Sequence, residues 1–168
     1  MQKYFSTVSS LPIIAGEDKK SLGHINGAFV NPETGQIIGF LVGFGKILVP
    51  TDIQKWGNES IQVSDEEALV SPWDVLRIQS YGIKRTFLNG KKIVSKSGKK
   101  LGRLRDFSFD PAGNALATID VSKKIWPFEW AKRSFPAKDI AEILDSAIIL
   151  AIDPEAEEKI KEPVLQPS

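Results

Sequence analysis

Few side chains in this sequence could carry chemistry. His24 is the single histidine and cysteine is absent, which excludes thiolate nucleophiles, disulfides, iron–sulfur ligation and cysteine-ligated zinc. Only His24 could serve as a base near neutral pH. A serine nucleophile beside it would need a sharp strand-to-helix elbow, and no Gly-x-Ser-x-Gly segment occurs. The carboxylates are scattered and lack the spacing of a calcium loop. Gly39, Gly43 and Gly45 lie in or just after a strand-like run and open no helix, so they build no phosphate cradle. A carboxylate pair acting on a glycoside would need a cleft wider than small β-units offer. These residues predict a non-enzyme with no catalytic residue, no metal, no cofactor and no small-molecule substrate.

Two other groupings point to binding. Trp126, Phe128 and Trp130 are interleaved with Lys123, Lys124, Lys132 and Arg133. Aromatic rings flanked by cations suit a protein hot spot or a membrane interface. The competing reading folds the rings back to cap an undersized core. The second grouping is Lys91, Lys92, Lys96, Lys99, Lys100, Arg103 and Arg105. Strand alternation puts Arg103 and Arg105 on one face beside the turn lysines, so Lys99, Lys100, Arg103 and Arg105 form a candidate anion-binding set acting through counterion release. A solvated exterior is the plainer reading, because no aromatics are interleaved there.

Charge is unevenly spread. Residues 1–78 hold six Lys/Arg against nine Asp/Glu, residues 79–152 fourteen against seven, and residues 153–168 two against five. The basic second half marks an anionic partner, which could equally be the acidic remainder of the chain.

The elements that position these groups come in two copies. Leu22-Gly23-His24-Ile25 and Asn31-Pro32-Glu33-Thr34-Gly35 return as Leu101-Gly102-Arg103-Leu104 and Asp110-Pro111-Ala112-Gly113-Asn114. Ile25 falls on Leu104, Ala28 on Phe107, Val30 on Phe109 and Pro32 on Pro111, and a one-residue deletion sets Gly35 on Gly113. Each copy reads as a β-hairpin, with Asn/Asp-Pro starting the turn and glycine accepting a positive φ. In both copies the inward alternation slips at matched places, which predicts β-bulges near Asn26-Gly27 and Arg105-Asp106 that curl each hairpin toward closure. His24 aligns with Arg103, and a position accepting either side chain reads as strand surface.

The Leu-Gly-x-Ile/Leu opening, the Asn/Asp-Pro turn, Ile37–Val42, Val49-Pro50, Ile53 and Ser60–Val63 together resemble the PRC-barrel domain. In the second copy Phe135-Pro136, Ile140 and Ser146–Ile149 match as well. That family includes the cytoplasmic barrel of the photosynthetic reaction centre H subunit and the C-terminal barrel of a ribosome maturation factor. The resemblance implies an all-β fold of two small PRC-type barrels in tandem, and a role in docking and assembly.

The boundaries read as a first barrel over 1–70, a linker helix over 71–82, a second barrel over 83–152 and an acidic C-terminal tail over 153–168. Ser71 caps the linker helix, Pro72 stands at its first position and Gly82 stops it, with Trp73, Leu76, Ile78 and Tyr81 as buried contacts. Trp73 as a ligand-stacking ring is the sharper alternative. Asn89-Gly90 signals a tight hairpin in a strand-like run from Ile83 to Ile93. Ile37–Phe44 is apolar on both faces, with Ile37 and Leu41 on one and Ile38, Phe40, Val42 and Phe44 on the other. The outer face should be covered by the linker or the other barrel, ahead of an external partner.

From the turn glycine to the barrel proline the second copy is eight residues longer, and these form a long loop carrying Trp126, Phe128 and Trp130. After Asp153-Pro154 a marginal helix over 155–161 and a mobile tail follow. Met1–Ser6 lacks the apolar core of a signal peptide and no run is long enough for a membrane span, so the expected location is cytoplasmic. The leading functional expectation is a protein-interaction or assembly module contacting an unidentified protein partner through Trp126, Phe128, Trp130, Lys132 and Arg133. The alternatives are RNA or ribosome association through the basic second barrel, and peripheral attachment to an anionic membrane through the aromatic-basic loop.

Overall fold

The computed structural model describes residues 1–125 and 129–154. Trp126, Phe128 and the helix and tail expected after Pro154 lie outside the described residues. In chain order the first part holds β1 (Lys3–Tyr4), α1 (Phe5–Ser9), β2 (Ile13–Ala15), β3 (Lys20–Gly23), β4 (Ile25–Val30), β5 (Ile37–Val42), β6 (Lys46–Leu48), β7 (Ile53–Trp56), β8 (Ile61–Val63) and β9 (Leu69–Val70). Then come α2 (Leu76–Tyr81), α3 (Ile83–Thr86), β10 (Lys92–Val94), β11 (Lys100–Asp110), β12 (Ala115–Ile125), β13 (Glu129–Pro136), β14 (Ile140–Ile143) and β15 (Ala147–Leu150).

The two halves share one pairing scheme. β2 pairs antiparallel with β3 and parallel with β8. In the second half β10 does the same with β11 and β15. Hairpin β4–β5 extended by β6 corresponds to hairpin β11–β12 extended by β13. Both expected bulges are present, as register breaks between Ile25 and Gly27 and between Leu104 and Asp106. A second matched pair of breaks, between Phe29 and Val30 and between Ser108 and Phe109, is invisible in the hydrophobic pattern.

That second break corrects the faces of β5. Val30 pairs with Ile37 and Phe29 with Gly39, so Ile38 is the extra residue. Ile37, Phe40 and Val42 then enter the main core, while Ile38 and Leu41 turn outward. Phe44 leaves the strand altogether and stands fully exposed at the tip of the β5–β6 turn. The turn alignment also shifts. Seven positions separate Val30 from Ile37 and Phe109 from Leu116 alike, so there is no deletion. The counterpart of Gly35 (φ +75°) is Asn114 (φ +53°), since asparagine tolerates the left-handed region. In both turns the first side chain accepts a main-chain N–H two residues on, Asn31 from Glu33 and Asp110 from Ala112, each at 2.9 Å.

Three open ladders result: β13-β12-β11-β10-β15-β14 with β1 added to β11, β3-β2-β8-β7, and β4-β5-β6-β9. None closes on itself among the described residues. The fold is therefore all-β-rich with a few short helices, and its ladders are open where two closed barrels are expected. One buried cluster runs through both halves, from Ile13, Val30 and Phe40 to Phe107, Ile119 and Ile148. Phe109 joins them, its ring centroid 5.5 Å from Phe40 and 5.4 Å from Trp56. The hairpin turns are zipped together as Ile37 N–H donates to Asn114 and Leu116 N–H to Gly35. The N-terminus crosses to the second half: Lys3 pairs with Phe109, Tyr4 with Ser108, and Phe5 stacks on Phe107 at 5.0 Å.

The linker covers the outer face of the first hairpin, as expected, but of its four expected contacts only Ile78 is buried. Ile78 is buried against Phe29, Ile38 and Ile47, with Val70, Val75 and Phe87 beside it. Trp73 and Leu76, expected inside, are 71% and 79% exposed. Ser71 does accept the Trp73 N–H, but the first turn is a 3-10 turn over Pro72–Asp74, and α2 restarts only at Leu76. The break at Val75 rotates the face that packs. Gly82 (φ +92°) stops α2 as predicted. Ile83–Thr86 is a short helix rather than strand, and Leu88 N–H then donates to Ala28 and ties the linker to β4.

Candidate functional site

The second half departs from the first at β12 and β13. In the first hairpin extension the pairing of β5 with β6 stops at Val42 and Lys46. Here it runs on from Val121 and Arg133 through Ser122/Lys132, Lys123/Ala131 and Lys124/Trp130 to Ile125/Glu129. The described residues of the insertion therefore lengthen two strands, where a long loop is expected, and Trp130 lies within β13. The strand on the other side of β12 ends its pairing at Arg103/Ser122. Beyond Ser122 the hairpin is a two-stranded ribbon projecting from the sheet, with Lys123 and Lys132 exposed along it.

Beneath the ribbon, β1, α1, β11, β12 and β13 enclose an open groove of about 690 Å3. Its lining places Arg105, Lys132 and Arg133 beside Asp106, Asp120, Ser122 and Ser134, with Tyr4 and Ser6 on the far wall. Asp106 holds that wall: its carboxylate accepts from Ser6 N–H at 3.0 Å and Ser6 Oγ at 2.6 Å. Ser134 Oγ donates to Asp120 at 2.8 Å, and Ser108 and Thr118 hydroxyls bond at 2.6 Å.

The basic residues picked out by sequence do not share one surface. The bulge after Leu104 turns Arg105 into this groove. Arg103 instead donates to the Gly90 carbonyl at 3.0 Å and borders a separate recess with Lys84, Lys92 and Asp145. Lys99 and Lys100 are exposed at the β10–β11 turn, where Ser97 N–H and Oγ bond Asp153 and hold its carboxyl below the usual range. Among the four, only Arg105 adjoins Lys132 and Arg133. Trp126 and Phe128 lie outside the described residues. His24 is exposed between β3 and β4, like Arg103, its counterpart. Among the described residues no three of His, Cys, Asp and Glu converge on a metal position, and no helix is long and apolar enough to cross a membrane.

Lys91 escaped the sequence reading. Counted there among surface lysines, it is only 4% exposed. Its ammonium donates to the main-chain carbonyls of Lys84 (2.9 Å), Leu144 (2.5 Å) and Asp145 (2.7 Å), pinning α3 to the β14–β15 turn. Burial pushes it down to about 8, reinforced by Arg85 and opposed by Asp145. No sequence signal separates it from its neighbours in the lysine run.

A model of the PRC-barrel domain matches residues 83–156, and so covers α3 through β15, including β12, β13 and the lengthened ribbon between them. No curated protein matches the chain.

Proposed function

We propose that this chain, with a PRC-barrel domain in its second half, is a non-enzymatic docking or assembly module of the cytoplasm that holds a protein partner on the β12–β13 ribbon. The observation that carries this reading is the ribbon itself. A two-stranded hairpin unsupported by further strands is marginal in water, yet the sequence extends it and supplies Trp126, Phe128 and Trp130 between cationic flanks. Rings of this kind between cations gain most from burial in a partner's pocket. The same reading takes the halves as two copies of one PRC-type unit, the first supporting and the second presenting the ribbon; their common pairing scheme supports it.

RNA association is the second reading, favoured by Lys84, Lys92 and Arg103 around one recess. It is weaker because Arg105 opens elsewhere and carboxylates border both basic surfaces. Affinity capture from lysate, with and without ribonuclease and beside a Trp126→Ser/Trp130→Ser variant, separates them. A defined protein that survives ribonuclease and is lost with the variant supports the proposal. Recovery that needs RNA and ignores the variant overturns it. Sedimentation with anionic vesicles that is lost with the variant, and no protein partner, would move the function to a membrane surface.

A further inference from the structure

The two copies differ at one corner, where β10 lies between β11 and β15. The matched registers set Ile93 on Ile13, since Ile13 pairs with Gly23 and Ile61 while Ile93 pairs with Gly102 and Ile148. Lys91, Lys92 and Arg103 therefore stand where the first copy has Leu11, Pro12 and His24. Leu11 packs on the main core. Its counterpart Lys91 is buried too, but as an ammonium, and burying a charge costs far more than burying a leucine. The first copy forms the same pairing without these cations, so the packing of the unit does not require them.

They border a recess of about 330 Å3 between α3, β10, β11 and the β14–β15 turn. Ile83 and Phe87 give it an apolar wall, and Lys84, Asn89, Lys92, Arg103 and Ser146 bring hydrogen-bond donors. Among the described residues the ammonium groups of Lys84 and Lys92 have no hydrogen-bond or carboxylate partner. Arg103 gives one N–H to the Gly90 carbonyl at 3.0 Å, which holds its guanidinium by the Asn89-Gly90 turn. Asn89 accepts the Ala28 N–H at 2.9 Å through its side-chain oxygen and keeps its amide N–H groups to give. Lys91 donates to three carbonyls, so it adds charge to the recess and no hydrogen bond. Asp145 is the one carboxylate in the lining, set against Lys84, Lys91, Lys92 and Arg103. We infer that this recess binds a small organic phosphate monoester, with its phosphoryl oxygens on Lys84, Lys92 and Arg103 and its organic body against Ile83 and Phe87. A phosphate dianion matches the two things the site holds in excess, positive charge and unspent donors. The inference goes beyond the docking reading and stands whether or not the ribbon holds a partner. It differs from RNA association as well, because a recess of this size takes one phosphoryl group and follows no strand.

Titration of the isotope-labelled full chain with phenyl phosphate at pH 7, followed through amide chemical shifts, tests this. Shifts at Lys84, Asn89–Lys92, Arg103 and Ser146 should saturate together with a Kd below about 1 mM. Phenol should not bind, and inorganic phosphate should bind about tenfold more weakly for want of the apolar contact. Lys92→Gln and Arg103→Gln change exposed side chains and should each weaken binding at least about fivefold. Lys46→Gln, exposed in the first half, should leave it unchanged. Unaltered shifts across β5 and β6 report an intact fold in the two recess variants. Shifts that spread without saturation over exposed lysines of both halves overturn the inference, as does equal binding of inorganic phosphate or phenol, or full binding by both recess variants. An RNA oligonucleotide that occupies the recess while phenyl phosphate does not overturns it too, and returns this surface to the RNA reading.

Discussion

Replacing Phe109 with alanine removes the ring on which the two halves meet. The side chain is fully buried, with Phe40 at 5.5 Å, Trp56 at 5.4 Å and Phe107 at 6.5 Å between ring centroids. Buried Phe→Ala changes cost about 3–5 kcal/mol through lost transfer energy and the cavity left behind. Three aromatic neighbours, two of them from the first half, place this site near 4 kcal/mol, since each ring pair adds about 0.5–1.5 kcal/mol. At about 1.4 kcal/mol per decade, global opening rises nearly a thousandfold. Amide exchange in both halves, with urea unfolding by circular dichroism, reads this directly. Amides of β4–β5 should lose protection by the same factor as those of β11–β12. Loss confined to the second half, with the first unchanged, would refute a common core and restore two separately folding units.

Two further substitutions test local reasoning. Gly102 has φ +140°, and a Cβ there would stand 2.3 Å from the Ser122 carbonyl oxygen. Gly102→Ala should cost about 2–4 kcal/mol in urea unfolding, whereas Gly45→Ala, with open space around it, should cost well under about 1 kcal/mol. Lys91→Met leaves three main-chain carbonyls, of Lys84, Leu144 and Asp145, without their donor and should cost about 2 kcal/mol at pH 7. Its pH dependence has a defined sign. In the folded chain Lys91 loses its proton near 8, against 10.5 for the ordinary group. Between these values the unfolded chain holds one more proton, so wild-type stability gains relative to Lys91→Met as pH rises from 8 toward 10.5. A gap that narrows over that range would contradict the assigned burial.

The hairpins, their Asx-initiated turns and the first pair of bulges were legible because each leaves a local mark: Asn31-Pro32, Asp110-Pro111, and a slip between Ile25 and Ala28 repeated between Leu104 and Phe107. What failed depends on distant contacts. The bulge at Ile38 shows no slip, since every residue around it is apolar or glycine and either face could be core. Trp73 read as an anchor because tryptophan usually is one, yet the break at Val75 gave the packing to Ile78. Lys3 and Tyr4 pair with residues more than a hundred positions away, and no local pattern encodes that. The eight-residue difference at the candidate site was visible, but its form was not. Alternating types in Ser122–Ser134 fit a loop as well as a ribbon, and only the register of β12 on β13 distinguishes them.

A ribbon that exists for a partner and not for the fold can be removed without unfolding the chain. Joining Ser122 to Lys132 through a two-residue Asn-Gly turn, in place of residues 123–131, keeps the last pair supported by β11 and suits a tight hairpin. Capture of partner from lysate by this trimmed chain, beside a urea unfolding curve, is the decisive measurement. Unfolding within about 1 kcal/mol of wild type, with the partner lost, is the predicted result. A trimmed chain that still retains the partner, or one that no longer folds, would contradict that role for the ribbon.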